Sequence, residues 1–310
     1  MSLAAKLPYD HPYAGGFSGI GSQPLPTDAD ALDYLSRVKA ADGAGVEVGV
    51  ATAVDAFFRD SKAAGVFDAL KACCILAGAR TLAGALVPVV GDAPTNVANG
   101  FVNGDFSRTS GLTGDGTSYI DSGRAADDDG QNDVHLSRYI TAAGTAALFE
   151  IHIGARGPSG NLATTQIGYS AGGAFNFLAA RNESQRVDVA GSQFTGFAGV
   201  TRSVSTSMTA RINGSTSSAA STSGSPPSIP YYVFARNNNG SADGLSNATI
   251  AFYSIGTDIG SAGLTALDTA VTHLINRLKF ALLVGENPSG LDPDTIDYIV
   301  RGYEAGGSLE

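Results

Sequence analysis

Apolar side chains return at every second position in five short runs between residues 149 and 253. Phe149, Ile151 and Ile153 alternate with Leu148, Glu150 and His152; Phe175 and Phe177 flank Asn176; Met208, Ala210 and Ile212 alternate with Thr209 and Arg211. Tyr231, Val233 and Ala235 alternate with Tyr232, Phe234 and Arg236, and Ile250 and Phe252 with Ala251 and Tyr253. A period of two places successive side chains on opposite faces of an extended strand, and the Gly, Asn and Ser between the runs supply turns. Many short strands of this kind bury their apolar faces by stacking as two sheets, so residues 84–257 are expected to form a β-sandwich. Asn213-Gly214, directly after Ala210-Arg211-Ile212, is a hairpin signal because both positions tolerate positive φ. The Ser/Thr-rich run from Ser215 to Ser228 then reads as a loop with an edge strand.

The period changes on both sides of this region. Residues 28–83 are expected to be helical: Thr27 and Asp30 have the spacing of a capping box, Leu32, Leu35 and Val38 follow at helical intervals, and Asp42-Gly43 ends the helix. Val46, Val50, Val54, Phe57 and Phe58 make a second apolar stripe that Gly65 breaks, and Phe67, Leu70, Cys73 and Cys74 suggest a shorter third helix. Residues 258–310 return to helix. Leu264, Leu267, Val271, Leu274 and Leu278 form one face, and Asp292 with Pro293 opens a last helix. Residues 1–27, with Pro8, Pro12, Pro24 and Pro26 around Tyr9, Tyr13 and Phe17, read as an extended arm. It either lies on a neighbouring domain or subunit or is a free tail. Asp28–Arg37 (DADALDYLSR) and Asp292–Arg301 (DPDTIDYIVR) match in register, which pairs Tyr34 with Tyr298. One helix type used twice suggests head-to-tail contacts between copies, with Tyr9, Tyr13, Phe17, Tyr34 and Tyr298 as assembly residues.

Composition narrows the function classes. The net charge is −10 and no Lys/Arg cluster tracks a phosphate backbone, which argues against nucleic acid. The most apolar stretch, Val66 to Val90, is interrupted by Lys71, Arg80, Gly78, Gly84 and Pro88, which argues against membrane insertion. The N-terminus lacks the apolar core of a signal peptide, so synthesis in a cytoplasm is expected. The only cysteines, Cys73 and Cys74, are adjacent and read as buried free thiols, with a redox pair as the sharper alternative.

Three motifs carry a resemblance: Ile75–Asn96 (ILAGARTLAGALVPVVGDAPTN), Tyr231–Gly240 (YYVFARNNNG) and Ser246–Gly256 (SNATIAFYSIG). With Asp30–Gly43 (DALDYLSRVKAADG) before them and Gly111–Gly123 (GLTGDGTSYIDSG) between, the chain from 28 to 280 resembles structural proteins of tailed bacteriophages and prophages. The resemblance implies a mainly β chain: a concanavalin-like or laminin-G-like jelly-roll sandwich flanked by N-terminal and C-terminal helices. It further implies a tail, fibre or capsid-surface component of a virion, a homo-oligomer that also contacts other virion proteins. The alternative function is an adhesin that binds host or environmental glycans.

Candidate chemistry is sparse. The run Asp127, Asp128, Asp129, Gly130, Gln131, Asn132, Asp133 is the densest set of oxygen ligands, and lectin-like sandwiches often hold Ca²⁺ at loop tips. Its spacing departs from an EF-hand, and a solvated acidic turn is the competing reading; no other cofactor is expected. His135 and His152 could lie on neighbouring strands, but no partner stands at metal-ligand spacing. Glycoside hydrolysis needs two opposed carboxylates, and Glu150 has no patterned partner, so no enzymatic activity is expected. For glycan binding, Asn237, Asn238 and Asn239 with Tyr231 and Tyr232 are the candidates. The same asparagines would also suit a turn, and the absence of Trp weighs against a sugar platform.

Overall fold

Alternation does produce strands. In the computed structural model, which describes residues 25–97, 100–145, 149–158 and 163–286, the chain is mainly β, with two nine-stranded sheets facing each other in a jelly-roll-like sandwich. The strands are numbered along the chain. In spatial order the first sheet holds β14 (Ser215–Ala220), β13 (Ser207–Ile212), β12 (Gly196–Val204), β7 (Val134–Ala142), β18 (Thr249–Gly256), β1 (Leu70–Ile75) and β2 (Pro88–Val90). The short strands β5 (Gly111–Thr113) and β4 (Phe106–Ser107) extend from β18. The second sheet holds β11 (Val187–Ala190), β10 (Phe175–Ala179), β9 (Thr164–Ser170), β8 (Phe149–Arg156), β15 (Pro230–Val233), β6 (Tyr119–Ala125) and β3 (Thr95–Val97). A hairpin of β16 (Arg236–Asn238) and β17 (Ser241–Asp243) joins it through β16, which runs parallel to β8; the other described pairings are antiparallel.

The inner faces make one core. Leu136, Val200, Met208, Ile250 and Ile255 of the first sheet meet Ile120, Ile153, Ile167, Leu178 and Val233 of the second, all buried. The β13–β14 hairpin turns at Asn213 (φ 49°) and Gly214 (φ 73°), the left-handed pair that matches strand twist.

The helices α1 (Ala29–Asp42), α2 (Val48–Ala63), the short α3 (Leu82–Ala85) and α4 (Gly260–Glu286) flank the sandwich. The three long ones share a second apolar cluster with Cys73, Ile75, Phe197 and Phe252 on the outer face of the first sheet. Leu264, Leu267, Val271, Leu274 and Leu278 of α4 are all buried there, as their spacing predicts. Helix α2 approaches α4 closely because residue 49 is glycine: a Cβ there would stand 2.9 Å from the Cβ of Ala281. Among the described residues no helix is long and apolar enough to cross a membrane.

Several expectations need correction. The third helix does not form: Phe67 sits in a single 3-10 turn, and Leu70–Ile75 is strand β1, between β18 and β2. Buried on both faces except at Lys71, β1 lacks the alternation that marks a half-exposed strand, and its apolar run imitates a helix stripe. The sandwich therefore begins near residue 70, not 84. Cys73 and Cys74 are free and buried, but on opposite faces of that strand: Cys73 packs under the helices and Cys74 in the inter-sheet core. The cap of α1 is Asp28 instead of Thr27; its carboxylate accepts from the N–H groups of Asp30 (3.0 Å) and Ala31 (3.1 Å). Tyr34 is buried against Phe58 (ring centroids 5.9 Å apart), so it is core and no surface for a sister copy. Tyr9, Tyr13, Phe17, Tyr298 and the helix expected after Asp292 lie outside the described residues.

Candidate functional site

The two sheets differ in what lies outside them. The helices pack on the first; the second turns its outer face to a strip of aromatic and charged side chains. Strand β8 builds this strip through a bulge. Ile151 pairs with Gly168 and Ile153 with Ile167, two adjacent residues, so one extra residue, His152, is inserted and the alternation changes phase. Ile153 and Ala155 consequently enter the core, whereas Phe149, Ile151, Gly154 and Arg156 fall on the outer side. Plain alternation had grouped Phe149 with Ile153.

At one end of the strip Phe149 stacks on Phe177 (5.4 Å between centroids, planes 8° apart), and Phe175 meets Phe177 edge-on at 6.2 Å. Arg186 lies over both phenyl rings of β10, 4.8 Å from Phe177 and 5.3 Å from Phe175. Phe149 is 37% exposed, so an aromatic edge held by its neighbours reaches solvent. Beside it, 5.6 Å from its centroid, is the Arg236 guanidinium. Arg236 forks onto Asp243 with two 2.9 Å bonds, donates to Gln166 Oε1 at 2.9 Å and lies 3.4 Å from Glu183. Glu183 in turn faces Arg156 at 3.7 Å, and Asn238 donates to Asp243 at 2.8 Å. Side-chain exposure is 29% for Arg156 and 35% for Asp243, against 5% for Arg236. The buried Arg236 thus fixes one partly open acceptor, Asp243, directly, and shares the Glu183 carboxylate with a partly open donor, Arg156. Gln166 Nε2 is buried without a hydrogen-bond partner, and Glu183 Oε2 has, among the described residues, no polar contact closer than its 3.7 Å ion pair with Arg156.

The residues expected to bind glycan are distributed differently. Tyr231 is buried between the sheets, where its hydroxyl accepts from Arg181 Nη1 at 3.1 Å, and it presents nothing to solvent. Tyr232 lies on the outer side but is buried against Tyr119, ring centroids 4.5 Å apart. Asn237 is buried and structural: its side chain donates to Pro230 O (2.9 Å) and accepts from Gly240 N–H (2.7 Å). Asn239 takes φ 51° in the β16–β17 turn. Of the five, Asn238 alone joins the charged strip. Arg156, Gln166, Glu183, Arg186 and Asp243 come from separated segments and had no sequence signal; Phe149 was visible only as one of an alternating set.

The acidic run does not fit a calcium ion. Asp129 is buried and gripped by Arg124 through two bonds (2.9 and 2.6 Å), Asp128 accepts from Ala125 N–H (2.9 Å) and Asp133 from Asp258 N–H (2.7 Å). Asp127 and Asp128 form a 3-10 turn, and Asn132 Oδ1 is buried without a partner. Carbonyl oxygens of Ala126, Asp129 and Gly130 do converge on a cation, but it is the buried guanidinium of Arg181 (2.9, 3.2 and 3.3 Å). Among the described residues no three His, Cys, Asp or Glu side chains gather as a metal would require.

Glu150 and His152 face inward. Glu150 accepts from Gln193 (3.0 Å) and Ser246 (2.9 Å), lies 3.7 Å from His152 Nε2, and is roofed by the backbone of Gly144. Burial alone would raise the Glu150 carboxyl, but His152, Ser246 and Gln193 together hold it below its ordinary value. Burial pushes the His152 imidazolium down to about 4 against the pull of Glu150. The pair is fully enclosed, and Glu150 Oε1 and His152 Nδ1 have no hydrogen-bond partner. His135 is in the first sheet, bonded to Thr257 O and Ser254, so the two histidines are not neighbours as expected.

No protein-family model matches the chain, and no curated protein matches it in sequence. It is similar in structure to a mutant of Trypanosoma rangeli sialidase with trans-sialidase activity (11% identity, TM-score 0.46, 71% of this chain and 39% of that one). It is also similar to the NanB sialidase from Streptococcus pneumoniae (12%, TM-score 0.39, 50% and 27%). A third is the CBM40 domain of Ruminococcus gnavus IT-sialidase bound to α2,3 sialyllactose (9%, TM-score 0.33, 45% and 83%). The chain spans about a quarter of the NanB chain it matches. Against the expectation of no enzymatic activity, the similar structures are sialidases and a trans-sialidase variant, so that expectation is withdrawn.

Proposed function

We propose that this protein binds carbohydrate through the outer face of its second sheet. The observation that carries the reading is the solvent-reaching Phe149 beside Arg236, which holds Asp243 and, through Glu183, leads along the strip to Arg156. Sugar sites combine an apolar surface for C–H groups with a few fixed polar groups for hydroxyls, and a strip whose side chains already hold one another loses little freedom on binding. The motif resemblance supplies a setting: a virion component, working with copies of itself and other virion proteins, that turns this face toward host-surface glycans. The test is retention of the chain on a panel of immobilised glycans. Wild type is retained and Phe149→Ala, with unchanged circular dichroism, is not. Failure of folded wild type to bind any glycan refutes the proposal, as does equal retention of both proteins.

A further inference from the structure

Resting on that carbohydrate reading, the charge pattern of the strip narrows the ligand further. Every arginine in it is already matched: Arg236 with Asp243 and Glu183, Arg156 with Glu183, Arg186 with Asp188 at 2.7 Å. An acidic sugar brought to Arg156 or Arg236 would have to displace a carboxylate and then stand beside it as a like charge. A cationic ligand meets the opposite difficulty. A hydroxyl meets neither, because it accepts from Arg156 and donates to Asp243 with equal ease. The buried layer repeats the mixture, with a donor on Gln166 Nε2 that has no hydrogen-bond partner and an acceptor on Glu183 Oε2 that Arg156 approaches only to 3.7 Å.

The strip is also long. Phe149 and Arg156 stand at the two ends of β8, on the same side, separated by about 20 Å at roughly 3.3 Å per residue. The contacts from Phe149 to Arg236 to Glu183 to Arg156 follow that strand without interruption. A single sugar ring cannot touch both ends.

We infer that the ligand is an uncharged oligosaccharide lying along β8, with one ring against Phe149 and later hydroxyls on Asp243 and Arg156. Binding of this kind releases no counter-ions and is nearly independent of salt.

The test prints neutral oligosaccharides of one to six units (gluco-, manno- and galacto-series, and lactose) beside sialyllactose and oligogalacturonate, and reads the full chain at 50 and 500 mM NaCl. The expected result is binding to neutral chains that gains at least tenfold from one unit to four, and lactose above sialyllactose. Salt is expected to change it by less than twofold. Phe149→Ala and Arg156→Gln each reduce it at least fivefold; the second tests the far end should the first disturb folding. Preference for the acidic glycans, a tenfold loss at high salt, or equal binding of one and four units overturns this inference and leaves carbohydrate binding standing. Silence across the whole array from a folded chain overturns the carbohydrate reading and this one with it.

Discussion

Arg181 offers a direct test of how the sandwich is held together. It follows β10 and is fully buried, at φ 62°. Its guanidinium donates to three backbone oxygens of the 126–130 loop, to Tyr231 Oη at 3.1 Å and, at 3.5 Å, to Thr165 Oγ1. Arg181→Met keeps most of the volume and removes every donor. The carbonyls of Ala126 and Asp129 lose their donor, and each such group costs about 1–3 kcal/mol, whereas Gly130 O keeps the N–H of Asp133 and the tyrosine hydroxyl keeps Thr165. Relief of the buried cation's desolvation offsets part of this, so the net loss is on the order of 2–4 kcal/mol. That lowers the melting temperature by roughly 10 °C for a domain of this size. Arg181→Gly, which also relieves about 1 kcal/mol of left-handed strain, is expected to be slightly less damaging to the backbone but to open a larger void. Urea unfolding followed by circular dichroism measures both. A loss below 1 kcal/mol for Arg181→Met refutes the view that this arginine stands in the place of a loop-organising ion.

Other consequences are measurable in the same way. The ordinary histidine value is near 6.5 and that of buried His152 about 4, so the unfolded chain takes up this proton first. Stability is whole above pH 6.5 and falls toward pH 4 by about 1.4 kcal/mol per pH unit, roughly 3 kcal/mol in total. The groups facing His152 are Glu150, Gln193 and Arg138. His135 is lowered by burial too, so the difference in slope between wild type and His152→Gln isolates the effect; parallel slopes refute it. Gly49→Leu forces α2 from α4 and is expected to cost about 1–3 kcal/mol, read as a lower urea midpoint. Millimolar CaCl₂ is expected to leave the melting temperature unchanged within 1 °C, because the acidic loop is already organised by Arg181 and Arg124. A calcium-dependent rise of several degrees contradicts that assignment.

Much of this fold could be read where one face of an element is wet. The stripe of α4 and the Asn213-Gly214 hairpin are examples, since solvent on one side imposes a period on the sequence. Strand β1 could not be, because burial of both faces erases that period and Leu70–Ile75 looks like the stripe of a helix. The site was less legible still. Arg156, Glu183 and the hairpin pair Arg236 and Asp243 lie on three separate segments, and only the pairing of β8 with β16 and, through β9, with β10 brings them together. The buried arginines Arg138, Arg181 and Arg202 left no trace at all. Their partners are mostly main-chain oxygens, which every residue type supplies alike.

The extra residue in β8 has a wider reach than one kink. It lets Phe149 and Ile153, which share a parity in the sequence, look in opposite directions. Straightening β8 with His152 kept in the ladder would turn one half of the strand over, driving either Phe149 inward and the Glu150 carboxylate out, or Ile153 and Ala155 into water. Excising His152 would instead leave every remaining side chain on the face it now occupies, in an unbroken zigzag. The inserted amino acid is thus a phase marker, and a deletion there is tolerated by the faces of this ribbon where an insertion elsewhere along it is not.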